Sequence, residues 1–86
     1  MISPSAAPTL GEVVGRVAAV TSIAPHRLVP DAELFALVSD SLMLVEMAID
    51  LQEEFDVILV ESDLREMRTL GDVVDVLGRR WEEQAA

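Results

Sequence analysis

Asp40-Ser41-Leu42 is the stretch whose residue types could do chemistry. An amphipathic run to Phe55 follows it, which puts Ser41 in the first turn of a helix. Asp40 is then a good N-cap, because its carboxylate can accept from an orphan backbone N–H at the positive end of that helix. A serine that acts as a nucleophile in its own enzyme needs a base within hydrogen-bond reach and an oxyanion hole. The chain has one histidine, His26, no lysine and no Gly-x-Ser-x-Gly turn. A self-contained hydrolase is therefore set aside, no catalytic residue is expected, and His26 is read as a packed or solvated loop residue. There is no cysteine, so any thiol chemistry needs a thiol added after synthesis. The carboxylates follow helix surfaces without EF-hand spacing, and no metal site is expected. Ser39, two residues before Ser41, reads as loop structure or an alternative cap.

Charge narrows the partners. Net charge is −10, with sixteen acidic residues against six basic ones, all arginine. Between Leu28 and Leu64 there are ten acidic residues and no basic one. Phosphate backbones and anionic membranes would be repelled, so neither nucleic acid nor a membrane is expected as a partner. A protein with a basic patch is favoured, and long-range steering would speed its encounter. The N-terminus has no basic n-region and no long apolar run. The expectation is a cytoplasmic, monomeric protein.

The elements that must position Ser41 are helices. The chain of 86 residues is 51% apolar with three aromatics, which suits one small helical bundle. Residues 1–8 read as a flexible lead-in, and Thr9-Leu10-Gly11-Glu12 fits a capping box. Leu10, Val13, Val14, Val17 and Val20 then give one helical face. Residues 21–39 form a long connection broken by Pro25 and Pro30. Ile23, Leu28, Leu34 and Phe35 are expected to pin it, with a short turn near Asp31–Leu37. The second helix is Ser41–Phe55, about 22 Å long. Leu44, Met47, Ala48, Leu51 and Phe55 make its core face. Leu42, Val45 and Ile49 make a second stripe beside it, and Glu46, Asp50, Glu53 and Glu54 take the rest. Val57-Ile58-Leu59-Val60 scores as a strand taken alone, but it has no partner strand and is read as a loop. Ser62–Met67 reads as a short third helix capped by Ser62. Thr69 caps a last helix whose Leu70, Val73, Val74 and Leu77 face inward. Arg79 and Arg80 suit its C-terminal end, Trp81 packs partially, and 81–86 is a C-terminal tail.

These features together resemble an acyl carrier protein. The resemblance rests on Asp40-Ser41-Leu42, the Leu34-Phe35 pair, Val45-Glu46, the Glu53-Glu54-Phe55 helix end, and Thr69-Leu70-Gly71-Asp72-Val73-Val74 opening the last helix. It spans residues 9–80, taken as the carrier domain. It implies an all-α fold: a small four-helix bundle with a long first loop and a short third helix. It implies 4′-phosphopantetheine on Ser41, with Asp40 and Leu42 beside it. The arm would hold acyl intermediates as thioesters and present them to enzymes of fatty acid, polyketide or related biosynthesis. Implied partners are a phosphopantetheinyl transferase and acyl-transferring, condensing or modifying enzymes with basic patches. They would meet Leu42, Val45, Glu46, Ile49, Asp50 and Glu53. An acyl chain would enter the bundle among Leu44, Met47, Leu59 and Met67. The family usually has glycine where this chain has Val38, so a local difference in the loop before Ser41 is expected. The other readings are an unmodified acidic adaptor that binds a basic partner through the second helix, a degenerate carrier no longer recognised by transferases, and an aminoacyl or peptidyl carrier.

Overall fold

The computed structural model describes residues 6–84. Its helices are α1 (Leu10–Thr21), α2 (Leu34–Leu37), α3 (Ser41–Phe55), α4 (Glu61–Glu66) and α5 (Leu70–Gln84). The fold is an all-α, acyl-carrier-like bundle in which α1, α3 and α5 are the long helices and α4 is the short third one. α2 is a single turn set in the long first connection, which also holds a 3₁₀ turn at Pro25–Arg27. Among the described residues, the one β-type pairing is an isolated bridge between Glu33 and Thr69. No described helix is long and apolar enough to cross a membrane.

Local chemistry sets the helix starts. At α1, Glu12 N–H donates to the Thr9 hydroxyl and Thr9 N–H donates to Glu12 Oε1, a complete capping box. Thr69 and Asp72 repeat it at α5. Two helices end in the left-handed region without glycine, α1 at Ser22 and α3 at Asp56. Aspartate tolerates that conformation better than most residues.

α1 packs on α3 and α5, and α4 packs on α5. Val13 and Val17 of α1 meet Leu51 and Phe55 of α3 and Leu70, Val73 and Leu77 of α5 in one buried cluster. Leu10 departs from the expected α1 face: it is the first residue of the helix and is exposed. In the long connection Leu28 and Leu34 are buried and Ile23 is half-buried, as pins should be. Phe35 is not a pin, for it is 73% exposed. In the single turn of α2, Leu34 and Leu37 take the inward side and leave Phe35 outside.

The long connection is also tied by its backbone to the start of α5. Leu34 N–H donates to Arg68 O, Leu70 N–H to Ala32 O, and Gly71 N–H to Pro30 O at 2.7 Å. A Cβ at Gly71 would lie 3.1 Å from the Pro30 oxygen, so glycine allows this approach.

Two helix ends differ from the sequence expectation. α4 starts at Glu61 with Val60 in the cap position, not Ser62. Valine offers no acceptor; Asp63 instead reaches back and accepts from Val60 N–H at 2.9 Å. α5 runs through Gly78 to Gln84, so Trp81–Gln84 are helical and not a tail. Gln84 Oε1 accepts from Ile58 N–H and its Nε2 donates to Ile58 O, which fastens that last turn to the α3–α4 link. Arg79 and Arg80 are therefore not at the helix terminus. They bind α4 instead, Arg79 to Glu66 and Arg80 to Asp63.

Candidate functional site

The corner between α2 and α3 holds Ser41. Asp40 is extended, and its Oδ1 accepts from Leu42 N–H at 2.9 Å, so the aspartate caps α3 as its position requires. Ser41 is the first residue of the helix and is exposed. Its hydroxyl takes no part in the hydrogen bonding of the described residues, which leaves the oxygen open to reagents. Val38, where a glycine was expected, is 6% exposed, with φ −124° and ψ 102°. Those angles are ordinary extended backbone that valine favours. Its N–H donates to Leu34 O at 2.7 Å, so the chain enters α3 with an added apolar anchor and no strain.

Beside Ser41 opens an apolar cavity of about 210 Å³. Ser41 lies on its rim together with Phe35 and Val45. Leu44, Met47 and Ala48 of α3 form one wall, and Leu64 of α4 and Met67 just after it add further lining. Of the four expected acyl-pocket residues, Leu44, Met47 and Met67 line this cavity. Leu59 does not. Its N–H is held by Gln52 Oε1 at 2.8 Å and its side chain packs on the core outside the cavity. Leu34, Phe35, Ala48 and Leu64 were missed as lining. Leu64 sits one helical turn from Glu61 on a helix too short to show a periodic face, and Phe35 reads from sequence as a pin.

The outer surface of α3 carries the second stripe. Leu42 is 61% exposed, Val45 51% and Ile49 48%. Exposed aliphatic residues in a row along a helix are not explained by the core of this bundle. Glu46 and Glu53 flank the stripe, are exposed, and form no ion pair among the described residues. Asp50 differs. Its Oδ1 accepts from Arg16 Nε at 3.1 Å and its Oδ2 from Arg16 Nη2 at 2.7 Å. The guanidinium also lies 3.8 Å from Glu54. Both Asp50 oxygens thus accept from Arg16, and the carboxylate ties α3 to α1. The hydrogen bonds and charge of Asp50 raise the Arg16 pKa further above its already high ordinary value. Nothing in local sequence marks this pairing, because Arg16 and Asp50 lie 34 residues apart.

Among the described residues, three further ion pairs involve α4, and Arg80 also pairs with Glu83 within α5. Among the described residues, Asp63 is the one buried charged side chain, 4% exposed. Arg80 Nε meets its Oδ2 at 2.8 Å and Nη2 its Oδ1 at 2.9 Å. The hydrogen bonds from Arg80 pull the Asp63 pKa below the ordinary 3.8; burial acts the other way and loses. Among the described residues no group of three or more His, Asp or Glu side chains could hold a metal.

Residues 8–77 match the family model described as a phosphopantetheine attachment site. The chain is an acyl carrier protein. It is similar to the meromycolate extension acyl carrier protein of Mycobacterium leprae, 35% identical over 65 residues that make up 74% of this chain and 56% of that protein. The proteins of the same name from Mycolicibacterium aurum and Mycolicibacterium smegmatis are also 35% identical over 65 residues, with 67% and 66% of their lengths matched. The chain thus spans little more than half of the M. leprae relative. Acyl carrier proteins are non-catalytic, and the prosthetic group of this family is 4′-phosphopantetheine. The corner fits that group on two observations: an accessible hydroxyl at the positive end of a helix, where a phosphodiester is electrostatically favoured, and an apolar cavity whose rim includes that same serine.

Proposed function

We propose that Ser41 is the attachment residue and that the acyl carrier protein loads there from coenzyme A through a phosphopantetheinyl transferase. The observation that supports this reading is the position of Ser41: exposed, in the first turn of α3, its hydroxyl outside the hydrogen bonding of the described residues, on the rim of the apolar cavity. Ser39 is exposed too, but it precedes the helix and is absent from that rim. The arm, once attached, supplies a flexible thiol that holds an acyl group as a thioester.

The remaining work falls to this chain's own side chains. Asp40 fixes the first turn of α3 and so the direction of the Ser41 oxygen. Leu44, Met47, Leu64 and Met67 offer apolar walls that would keep water from an acyl chain. Leu42, Val45 and Ile49 offer the contact surface for biosynthetic enzymes, with Glu46 and Glu53 drawing basic residues on them. Such exposed pairs each contribute under about 1 kcal/mol but set orientation and on-rate. The proposed cargo is an acyl chain of fatty-acid type, in keeping with relatives named for meromycolate extension and with a cavity lined almost wholly by apolar groups.

Incubation with coenzyme A and a broad-specificity transferase, followed by intact mass measurement, tests the reading. The expected result is a gain of one arm by the wild type and none by Ser41→Ala. Wild-type protein that stays unloaded while a known carrier loads in the same tube contradicts it, and leaves an unmodified adaptor or a degenerate carrier.

A further inference from the structure

α2 is a single turn of four residues, too short to hold its shape without tertiary contacts. Leu34 at its start is buried in the core, and its N–H donates to Arg68 O at 2.9 Å, which ties the turn to the start of α5. Val38 is its C-cap, and the Val38 N–H donates to Leu34 O at 2.7 Å. From Phe35 to Glu46, Val38 is the one buried residue. Ser39, Asp40 and Ser41 follow it, and all three are exposed. Val38 is therefore the last buried side chain before the serine, and it stands apart from the cavity lining.

We propose that Val38 is a positioning residue for loading: its buried side chain anchors the corner between α2 and α3, so that Ser41 is held in one orientation towards a transferase. That Ser41 receives an arm rests on the carrier reading above; the anchoring of the corner does not. Two devices then fix the Ser41 backbone from opposite sides. Asp40 sets the helical turn after it through Leu42 N–H, and Val38 sets where the chain enters that turn. In loading, a bond forms from the Ser41 oxygen to phosphorus as the pyrophosphate bond of coenzyme A breaks. The nucleotide half leaves with the other phosphate, and the hydroxyl proton passes to a base on the transferase. Such a displacement depends on the approach of the attacking oxygen, and a misplacement of about 1 Å can cost on the order of a hundredfold in rate. The exposed Leu42, Val45 and Ile49 stripe offers docking, so orientation and docking rest on different residues.

Loading kinetics and amide exchange of the full chain test this together. With a phosphopantetheinyl transferase at saturating coenzyme A, Val38→Ala is expected to lower kcat roughly tenfold with KM for the carrier little changed. Val38→Gly should lower kcat further, because it also frees the backbone. Val38→Ile keeps a branched apolar side chain suited to extended backbone and should hold kcat within about twofold of wild type. Leu42→Ala, on the docking stripe, should raise KM and leave kcat near wild type. In Val38→Ala the amides at positions 38 and 42 should exchange several-fold faster, with the core amides of α1 and α5 unchanged. A wild-type kcat in Val38→Ala, or a loss carried by KM alone, overturns the positioning role. Unfolding of Val38→Ala, or faster exchange in all helices, overturns it as well, since Val38 would then support the bundle as a whole. Wild type that stays unloaded beside a known carrier that loads contradicts the carrier reading, and the two amides then decide the anchoring by themselves.

Discussion

α3 and α4 face each other across the cavity and are held by opposite means. α3 is long, and it buries Leu51 and Phe55 in the core it shares with α1 while Arg16 clips its middle through Asp50. α4 is short and depends on a buried carboxylate bound to Arg80. A helix fixed by apolar burial can present Ser41 and the Leu42–Ile49 stripe in one orientation. The helix that bears Ser41 is held mainly by apolar burial, and the helix across the cavity from it by ion pairs to α5.

The largest effect should come from the α3 side. Leu51→Ala, at a site with no exposed surface, should cost about 3 kcal/mol in urea unfolding and lower the stability of all helices at once. Next comes Asp63→Ala, which leaves Arg80 without its partner and Val60 N–H without its acceptor; about 2 kcal/mol is expected at pH 7. The sign of its pH dependence follows from a carboxylate whose folded pKa lies below its unfolded value. The stabilisation is complete above the unfolded value near 3.8 and is lost as pH falls through the lower folded value. Denaturation curves of wild type and Asp63→Ala should thus keep their separation at neutral pH and converge below about pH 4. A separation that grows on acidification would contradict the pairing. Asp40→Ala, which removes the α3 cap, should cost about 1 kcal/mol by the same measurement.

Leu42→Ala should have the smallest effect on stability, within about 0.5 kcal/mol, because the side chain is mostly exposed. It should nonetheless slow loading by the transferase, measured as the initial rate at limiting carrier concentration. A stability loss as large as that of Leu51→Ala would show that the stripe is core and not display surface.

α3 was largely legible in the sequence, and α4 was not. α3 runs from Ser41 to Phe55 as its period and the Asp40 cap indicate. The capping boxes at Thr9 and Thr69 are local patterns, each closed within four residues, and both form. Asp63, in contrast, is buried because Arg80 lies opposite it, and the two are 17 residues apart. No periodicity reports such a pair. The same blindness hid the Arg16–Asp50 pair, 34 residues apart, and the length of α5, which runs past Gly78 to Gln84. Helix propensity at one glycine is a penalty of about 1 kcal/mol, and the contacts of Trp81 and Gln84 further on outweigh it. Phe35 and Leu59 failed for a related reason: in loops and single turns, the side that faces the core is set by the neighbouring helices.

The carrier reading places the arm on Ser41. Proteolysis of the loaded protein followed by fragmentation mass spectrometry reads the modified residue directly. Fragments that break between Ser39 and Ser41 should carry the added mass on the Ser41 side alone. Mass found on Ser39, or on any serine away from the cavity rim, would contradict the assignment and with it the role given to the corner between α2 and α3.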